Sequence, residues 1–272
     1  MQVHTLTPEA PGLKALGSID ARMTPEDTVE AIEALGLNVI AVTDHNAIDG
    51  AVTAFNHAQR RNYQVEIYIG EEISTLDGHI IAIGIETPID KQLSGEETIR
   101  RIIKQGGKVI IPHPMRKGAF GEDKIAAILN RQNPELKIHG VEILNASYYN
   151  GSPEIANEFL GVFSQKFKGQ IAPIGSSDNH NYTPARALTG FTGNFLEALE
   201  QKNTIVVYPD IIGQLLIIQA AWQKFGDIIS NKSLRYFLEG LIAQNSIPPE
   251  FNHLSHLIDI PDGGKRPHEV LI

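Results

Sequence analysis

A four-residue apolar run, Val39-Ile40-Ala41-Val42, breaks off abruptly at Thr43-Asp44-His45. Apolar and β-branched residues in so short a run suit a strand buried on both faces, as in a parallel sheet covered by helices. The polar triplet then falls where that strand leaves the core. In α/β barrels and open α/β sheets, ligands bind and chemistry occurs at the carboxyl ends of the strands. Asp44 and His45 are therefore candidate site residues, and the stretch points to a fold that alternates buried strands with helices.

The rest of the chain repeats this pattern. Thr24-Pro25-Glu26-Asp27 starts a helix, with Thr as N-cap, Pro in the first helical position and acids in the first turn; Gly36 stops it. A second helix is expected over residues 51–61. Strands follow over 65–69, ending in Gly70-Glu71-Glu72, and over 79–85, with a hairpin turn between them at 74–78. Ser94 and Glu97 have the spacing of a capping box, and the helix they open runs to Gln105. Further strands are expected over 108–111, 138–144, 170–174 and 204–207, and further helices over 123–130, 152–167 and 196–202. This alternation predicts a mainly parallel α/β architecture, a closed barrel in preference to an open sheet. Residues 1–208 would form it. From Ile211 the character changes: 211–225 and 233–244 read as apolar-rich helices, so 209–272 is expected to be a helical extension and tail. Those helices would pack on the barrel or form an oligomer interface.

Composition narrows the chemistry. The 272 residues include no cysteine, which excludes disulfides and thiolate-held zinc and fits a reducing cytoplasm. Any metal must be held by His, Asp and Glu. No segment approaches the length needed to span a bilayer, and the first ten residues lack a basic stretch followed by an apolar one, so no signal peptide is expected. A net charge of −9 argues against broad nucleic-acid binding.

Strand after strand ends in groups suited to hard or borderline metals: Asp44-His45, Glu72, His113 and Asp178-His180, joined by His79 at a strand start and His4 near the N-terminus. On neighbouring parallel strands these would converge on one rim. Imidazole and carboxylate without thiolate suits Zn²⁺, Mn²⁺ or Fe²⁺. So many ligands imply more than one ion, with a carboxylate such as Glu72 as a bridge. Only one of Glu71 and Glu72 can point into the mouth. After His113 come Arg116 and Lys117 among glycines, where a cation could meet a phosphate. Glu142 and Asn145, at the far end of their strand, are candidate substrate contacts. Each residue alone has an ordinary structural explanation; their recurrence at strand ends does not. His57, His139, His253, His256 and His268 lack such a pattern and are read as surface or tail residues.

The order HT, TDHNAIDGA, GEEISTLDGHI, IPHP, GVEILNA and GSSDNHN resembles the PHP family of phosphoesterases, which includes polymerase-associated domains and histidinol phosphatases. The resemblance spans about residues 3–207. It implies a distorted, seven-stranded β/α barrel with a trinuclear metal site at the strand ends. The matching ligands would be His4, His45, Glu72, His79, His113, Asp178 and His180, with Asp20 standing for an early acidic position. It also implies a hydrolase that uses two or three divalent ions on a small phosphomonoester or nucleotide. Arg116 would orient the phosphate, and Asp44, Asp178 or His180 would assist protonation of the leaving group. One position departs from the pattern: where the family opens with His-x-His, this chain has Gln2-Val3-His4. A carboxamide is a poorer ligand than imidazole, which opens the alternative of a degenerate barrel used for binding or regulation. A further alternative is a hydrolase of C–N or lactone bonds, but Lys108 starts its strand instead of ending it, unlike the strand-end lysine of such barrels.

Overall fold

A computed structural model describes residues 2–5, 21, 23–147, 153–180 and 187–207. All lie within Met1–Tyr208, the first of the two compact units into which the chain divides. Asp20 and the helices expected over 211–225 and 233–244 fall outside the described residues.

Helix α1 (Pro25–Ala34) begins where the sequence places it, with the Thr24 side chain accepting the Asp27 amide at 3.1 Å. It buries Val29 and Ile32, which pack with Ala51, Ala54 and Ala58 of α2 (Asp49–Arg61) against β2 (Val39–Val42) and the start of β3 (Glu66–Thr75). Helix α3 (Gly95–Lys104) and helix α4 (Glu122–Arg131) follow β4 (Gly78–Ile83) and β5 (Lys108–Ile111). Then come β6 (Gly140–Asn145), α5 (Pro153–Lys166) and β7 (Ala172–Ser176). Ile99, Ile102, Ile125, Ile128, Phe163 and Phe167 of this helical layer join Ile73, Val109, Ile111 and Val141 in the largest core cluster.

The sheet runs in sequence order, β1 (Gln2–Val3) through β7. Six strands, β2–β7, form a curled half-barrel, and the two-residue β1 lies parallel to β2 at its edge. Among the described residues β1 and β7 share no ladder. One backbone bond, from His4 N–H to the Asn179 carbonyl at 3.0 Å, links the segments just beyond them. A second apolar cluster joins Ala41, Tyr68, Ile81, Ile110 and Ile174 with Phe195 and Leu199 of α6 (Phe195–Gln201).

Three differences from the sequence reading bear on the site. Strand β3 does not end at Glu72 but continues to Thr75, parallel to β2 over its first half and antiparallel to β4 over its second. Strand β4 is antiparallel to both β3 and β5, so the sheet is less uniformly parallel than the alternation suggests. That reversal places the start of β4, and with it His79, at the rim where β2, β5, β6 and β7 end. The third difference is β8 (Leu188–Phe191), which the sequence did not reveal. It pairs with β9 (Thr204–Val207) in a separate two-stranded sheet. Thr189 Oγ1 accepts the Gly175 amide at 3.0 Å and donates to the Gly175 carbonyl at 2.8 Å, and Thr204 Oγ1 donates to the Pro173 carbonyl at 2.7 Å. A Cβ on Gly175 would lie 2.2 Å from the Leu188 carbonyl oxygen, so only glycine lets the second sheet approach β7 this closely.

His139, expected at the surface, and Glu71, the neighbour of Glu72, are both buried. His139 sits at the start of β6, its Nδ1 accepting the Val109 amide at 3.0 Å. Glu71 turns away from Glu72 and accepts the Ile89 amide at 2.8 Å; burial, with Asp90 nearby, pushes its carboxyl up to about 7. Among the described residues no helix is long and apolar enough to cross a membrane.

Candidate metal centre

Each ligand-type side chain reaches the rim by a local device. His45 follows β2 and forms a parallel bridge with Glu72. Asn46 holds that bridge in place. Its backbone is left-handed (φ 53°), its amide donates to the Glu72 carbonyl at 3.0 Å, and its side chain both accepts the Ser74 amide and donates to Ser74 Oγ. Ser74 pairs with His79 across the β3–β4 hairpin, so Glu72 and His79 lie two rungs apart on one face. A register shift in β6 between Glu142 and Leu144 cancels the usual alternation. Glu142 and Asn145, three residues apart, can therefore meet on the same face.

Positive φ recurs here in residues for which it is uncommon: His113 at 30° and Asp178 at 45°. Such backbone persists only where surrounding contacts enforce it, and it gathers at functional sites. The enforcing contacts are visible. The His113 amide donates to Glu142 Oε2 at 2.8 Å, and the Asp178 amide donates to Ser176 Oγ at 3.2 Å.

The side chains converge around Glu72. Its Oε1 lies 2.6 Å from His79 Nδ1 and 3.2 Å from His113 Nε2, while its Oε2 lies 3.3 Å from His4 Nε2. His4 Nε2 is also 3.2 Å from Asp178 Oδ1. The His4 ring stacks against both His45 and His180, with centroids 4.8 and 4.2 Å away. Three overlapping groups emerge: His4–His45–His180, His45–Glu72–His79 and His4–Glu72–Asp178, each with ligand atoms within 4.8 Å of one another. His4, Glu72, His113 and Asp178 form a buried floor, and His45, His79 and His180 are partly open to solvent.

The electrostatics favour a cation. Burial alone would lower the His4 pKa, but the carboxylates of Asp178 and Glu72 outweigh it and hold the value well above the ordinary 6.5. Burial would raise Glu72, but His113, His4 and His79 hold it well below the usual carboxylate range. Asp178 is lowered in the same way, burial being outweighed by His4, and His113 is raised by Glu72 against its own burial. Buried anions at this density need positive charge. The geometry also fits metal ions: two donors each 2.0–2.2 Å from one ion lie roughly 3–3.5 Å apart. The His4–Glu72, His4–Asp178 and His113–Glu72 separations of 3.3, 3.2 and 3.2 Å have that spacing. Among the described residues the buried Nδ1 of His113 and Oε1 of Glu142 have no hydrogen-bond partner.

The other candidates fall elsewhere. Glu142 and Asn145 are fully buried behind the ring, where Asn145 Nδ2 donates to Glu142 Oε2 at 2.8 Å and to Asp178 Oδ2 at 3.2 Å. They hold ring members in place. Burial, with the Asp178 charge beside it, pushes the Glu142 carboxyl up to about 7. Asp44 is buried against Thr5. Arg116 is exposed on the turn after His113, its amide bonded to the His113 carbonyl at 2.9 Å, with no hydrogen bond or ion pair to the ring among the described residues. Asn46, Thr5 and Gly50 were not singled out in sequence; of these only Asn46 carries a local signal, as a turn-forming residue directly after a strand-end His.

Fold and site together define an α/β protein whose strand ends gather a histidine–carboxylate ring able to hold divalent ions. The PHP domain matches residues 16–257, and the chain belongs to that family. It is 36% identical over 132 residues to the uncharacterized protein MJ1587 of Methanocaldococcus jannaschii, covering 48% of this chain and 72% of that one. Among solved structures it resembles a two-domain protein from Bacteroides vulgatus described as containing a predicted PHP-like metal-dependent phosphoesterase. The TM-score is 0.54 at 18% identity, over 75% of this chain and 66% of that one. It also resembles an amidohydrolase from Chromobacterium violaceum with bound sulfate, with a TM-score of 0.50 at 16% identity, over 77% and 97% of the two chains. At these identities the two structures speak for the fold.

Proposed function

We propose that the chain is a metal-dependent phosphoesterase acting on a small phosphomonoester or nucleotide. The observation that carries this reading is the position of Glu72, whose two oxygens face different imidazoles and which is shared by two of the three ligand groups, on a PHP domain. Two or three ions of Mn²⁺, Zn²⁺ or Fe²⁺ would be held by His4, His45, Glu72, His79, His113, Asp178 and His180, with Asp20 as a further ligand. When bound, such ions supply Lewis acidity that acidifies a water and offsets charge developing on phosphoryl oxygens.

The chain's own residues do the rest. Asn145 and Glu142 fix Asp178 and His113. Arg116, on an exposed turn, would orient the phosphate. Protonation of the leaving oxygen would fall to His180, whose Nδ1 donates to the Asp178 carbonyl at 2.9 Å; the Asp178 carboxyl, held below its ordinary range, would serve as a ligand. The half-barrel would be completed as a distorted seven-stranded barrel, in a cytoplasmic protein. The absence of cysteine supports a reducing compartment.

The test is hydrolysis of an aryl phosphate with added Mn²⁺ or Zn²⁺, beside a His113→Ala control. Metal-dependent turnover lost in the control supports the reading, and equal rates in both sink it. Turnover of an amide or lactone that resists phosphate and vanadate would instead assign a C–N or lactone hydrolase. Gln2 favours one further reading, a binding or regulatory barrel, which would show itself as well under one equivalent of metal bound per chain.

A further inference from the structure

Asp44 ends the strand that first marked the site, and its carboxylate is already engaged. The Thr5 amide donates to Oδ1, and Thr5 Oγ1 donates to Oδ2 at 2.6 Å. The contact is buried, with Asp44 5% and Thr5 6% exposed. It also joins distant parts of the chain, 39 residues apart. Thr5 directly follows His4, the imidazole shared by two of the three ligand groups. Among the described residues the backbone of that segment is also held by β1, with Gln2 opposite Ala41 and Val3 opposite Val42, and by the bond from the His4 amide to the Asn179 carbonyl.

Gly50 completes the arrangement. It lies in the first turn of α2. A Cβ there would lie 1.9 Å from Asp44 Oδ2 and 2.2 Å from Thr5 Oγ1. A Cβ at this position would have to displace the paired Asp44 and Thr5 oxygens, and glycine leaves the pair its room.

We propose that Asp44 is a positioning residue, and that it clasps Thr5 to hold His4 in the ring. The inference rests on the metal-centre reading above and assigns Asp44 no proton transfer. Two donors from one residue, one from backbone and one from side chain, fix both the path of the chain and the rotamer of Thr5. His4 is thereby kept within reach of Glu72 and Asp178.

The clasp and a proton-transfer role predict opposite behaviour for one variant. In Asp44→Asn the carboxamide oxygen accepts the Thr5 amide, while its nitrogen donates to Thr5 Oγ1, whose hydroxyl reverses. The clasp survives without an acid. Asp44→Ala removes it, Thr5→Val removes half of it, and Thr5→Ser keeps it. The experiment titrates Zn²⁺ into each metal-free, full-length variant against a chelator, and follows amide hydrogen exchange at His4 and Thr5 in the same metal-free samples.

Asp44→Ala is expected to weaken Zn²⁺ binding by roughly 10–100-fold, the usual effect of losing a partner behind a ligand, and to lose exchange protection at both amides. Thr5→Val, which keeps the backbone half, is expected to weaken Zn²⁺ binding by a smaller factor and to keep more of the protection. Asp44→Asn and Thr5→Ser stay close to wild type in both readouts, and the pH profile of aryl phosphate turnover in Asp44→Asn keeps its shape. Wild-type Zn²⁺ affinity and protection in Asp44→Ala would overturn the proposal. So would an Asp44→Asn variant that binds Zn²⁺ normally but is as inactive as Asp44→Ala. A wild-type chain that takes up no Zn²⁺ sinks the metal-centre reading instead, and the exchange data then decide on the clasp by themselves.

Discussion

The two ends of the sheet each bury a histidine beside charged groups, and they treat it in opposite ways. His113 at the rim is 3% exposed and His139 at the far end is 4% exposed. At the rim the charges facing His113 are Glu72, Glu142 and Asp178, and they raise its pKa against the effect of burial. At the far end burial, followed by Lys108 and Lys137, lowers His139 to about 3. The nearest carboxylate there, Glu200, is 3.4 Å from His139 Nε2 but already pairs with both lysines. Burial is therefore no mark of a ligand. The sign of the charges around the imidazole is: anions in excess leave a place for a metal ion, and cations in excess leave a neutral ring that accepts a backbone amide.

The strongest way to break this comparison is Glu72→Gln. It keeps the shape but removes the charge that three imidazoles face. Loss of one partner from a buried charged cluster costs about 3–5 kcal/mol, so Zn²⁺ or Mn²⁺ affinity is expected to fall by about 10²–10³-fold or more, with turnover falling alongside. Calorimetric titration of the metal-free chain measures it. Unchanged affinity would mean that the rim does not work through its anions.

The far end gives the next effect, read in pH. The folded value of His139, about 3, lies below its ordinary 6.5, so as pH falls the unfolded chain takes up this proton first. The stability tied to a neutral His139 is present above pH 6.5 and drains away toward pH 3, by several kcal/mol at full extent. His139→Gln should flatten that acid limb in urea unfolding followed across pH. His4 has the opposite sign in the metal-free chain. Its raised pKa contributes stability at low pH that is lost as pH rises through the folded value. Bound metal reverses this trend, because ions displace protons from their ligands.

The carboxylates behind the ring sharpen the rim further. Asn145 Nδ2 bridges Glu142 and Asp178, and Asn145→Ala leaves two buried carboxyls without their shared donor. A loss of about 1–3 kcal/mol is expected. It should be larger at pH 8 than at pH 5, since Glu142, pushed up to about 7, carries its proton at the lower pH. Denaturant unfolding at the two pH values tests this, and an equal loss at both would contradict it.

The chain shows its rim more readily than the scaffold that aims it. His45, Glu72, His113 and Asp178 are legible because each interrupts an apolar run, and burial of the run fixes where the interruption falls. His79 is legible through the hairpin that pairs it with Ser74. Partnerships across the chain are not: nothing local links Thr5 to Asp44 or explains Gly50. The burial of His139 is not legible because polar side chains are usually exposed, and that of Glu71 because nothing local separates it from Glu72; their backbone partners, Val109 and Ile89, lie 30 and 18 residues away. Strand β8 has four residues, one of them glycine, and docks through threonine hydroxyls instead of an apolar stripe. Thr189→Val, which removes two of those bonds, should cost about 1 kcal/mol in thermal or urea unfolding. It should leave metal binding at the rim unchanged, which separates scaffold from site.

The central claim, that the rim is a metal centre joined through Glu72, is most directly tested by anomalous diffraction at the zinc edge on crystals grown with Zn²⁺. The account predicts more than one anomalous peak within the ring formed by His4, His45, Glu72, His79, His113, Asp178 and His180, with Glu72 contacting two of them. A well-ordered rim without such peaks, its imidazoles still bonded directly to Glu72 and Asp178, would contradict it.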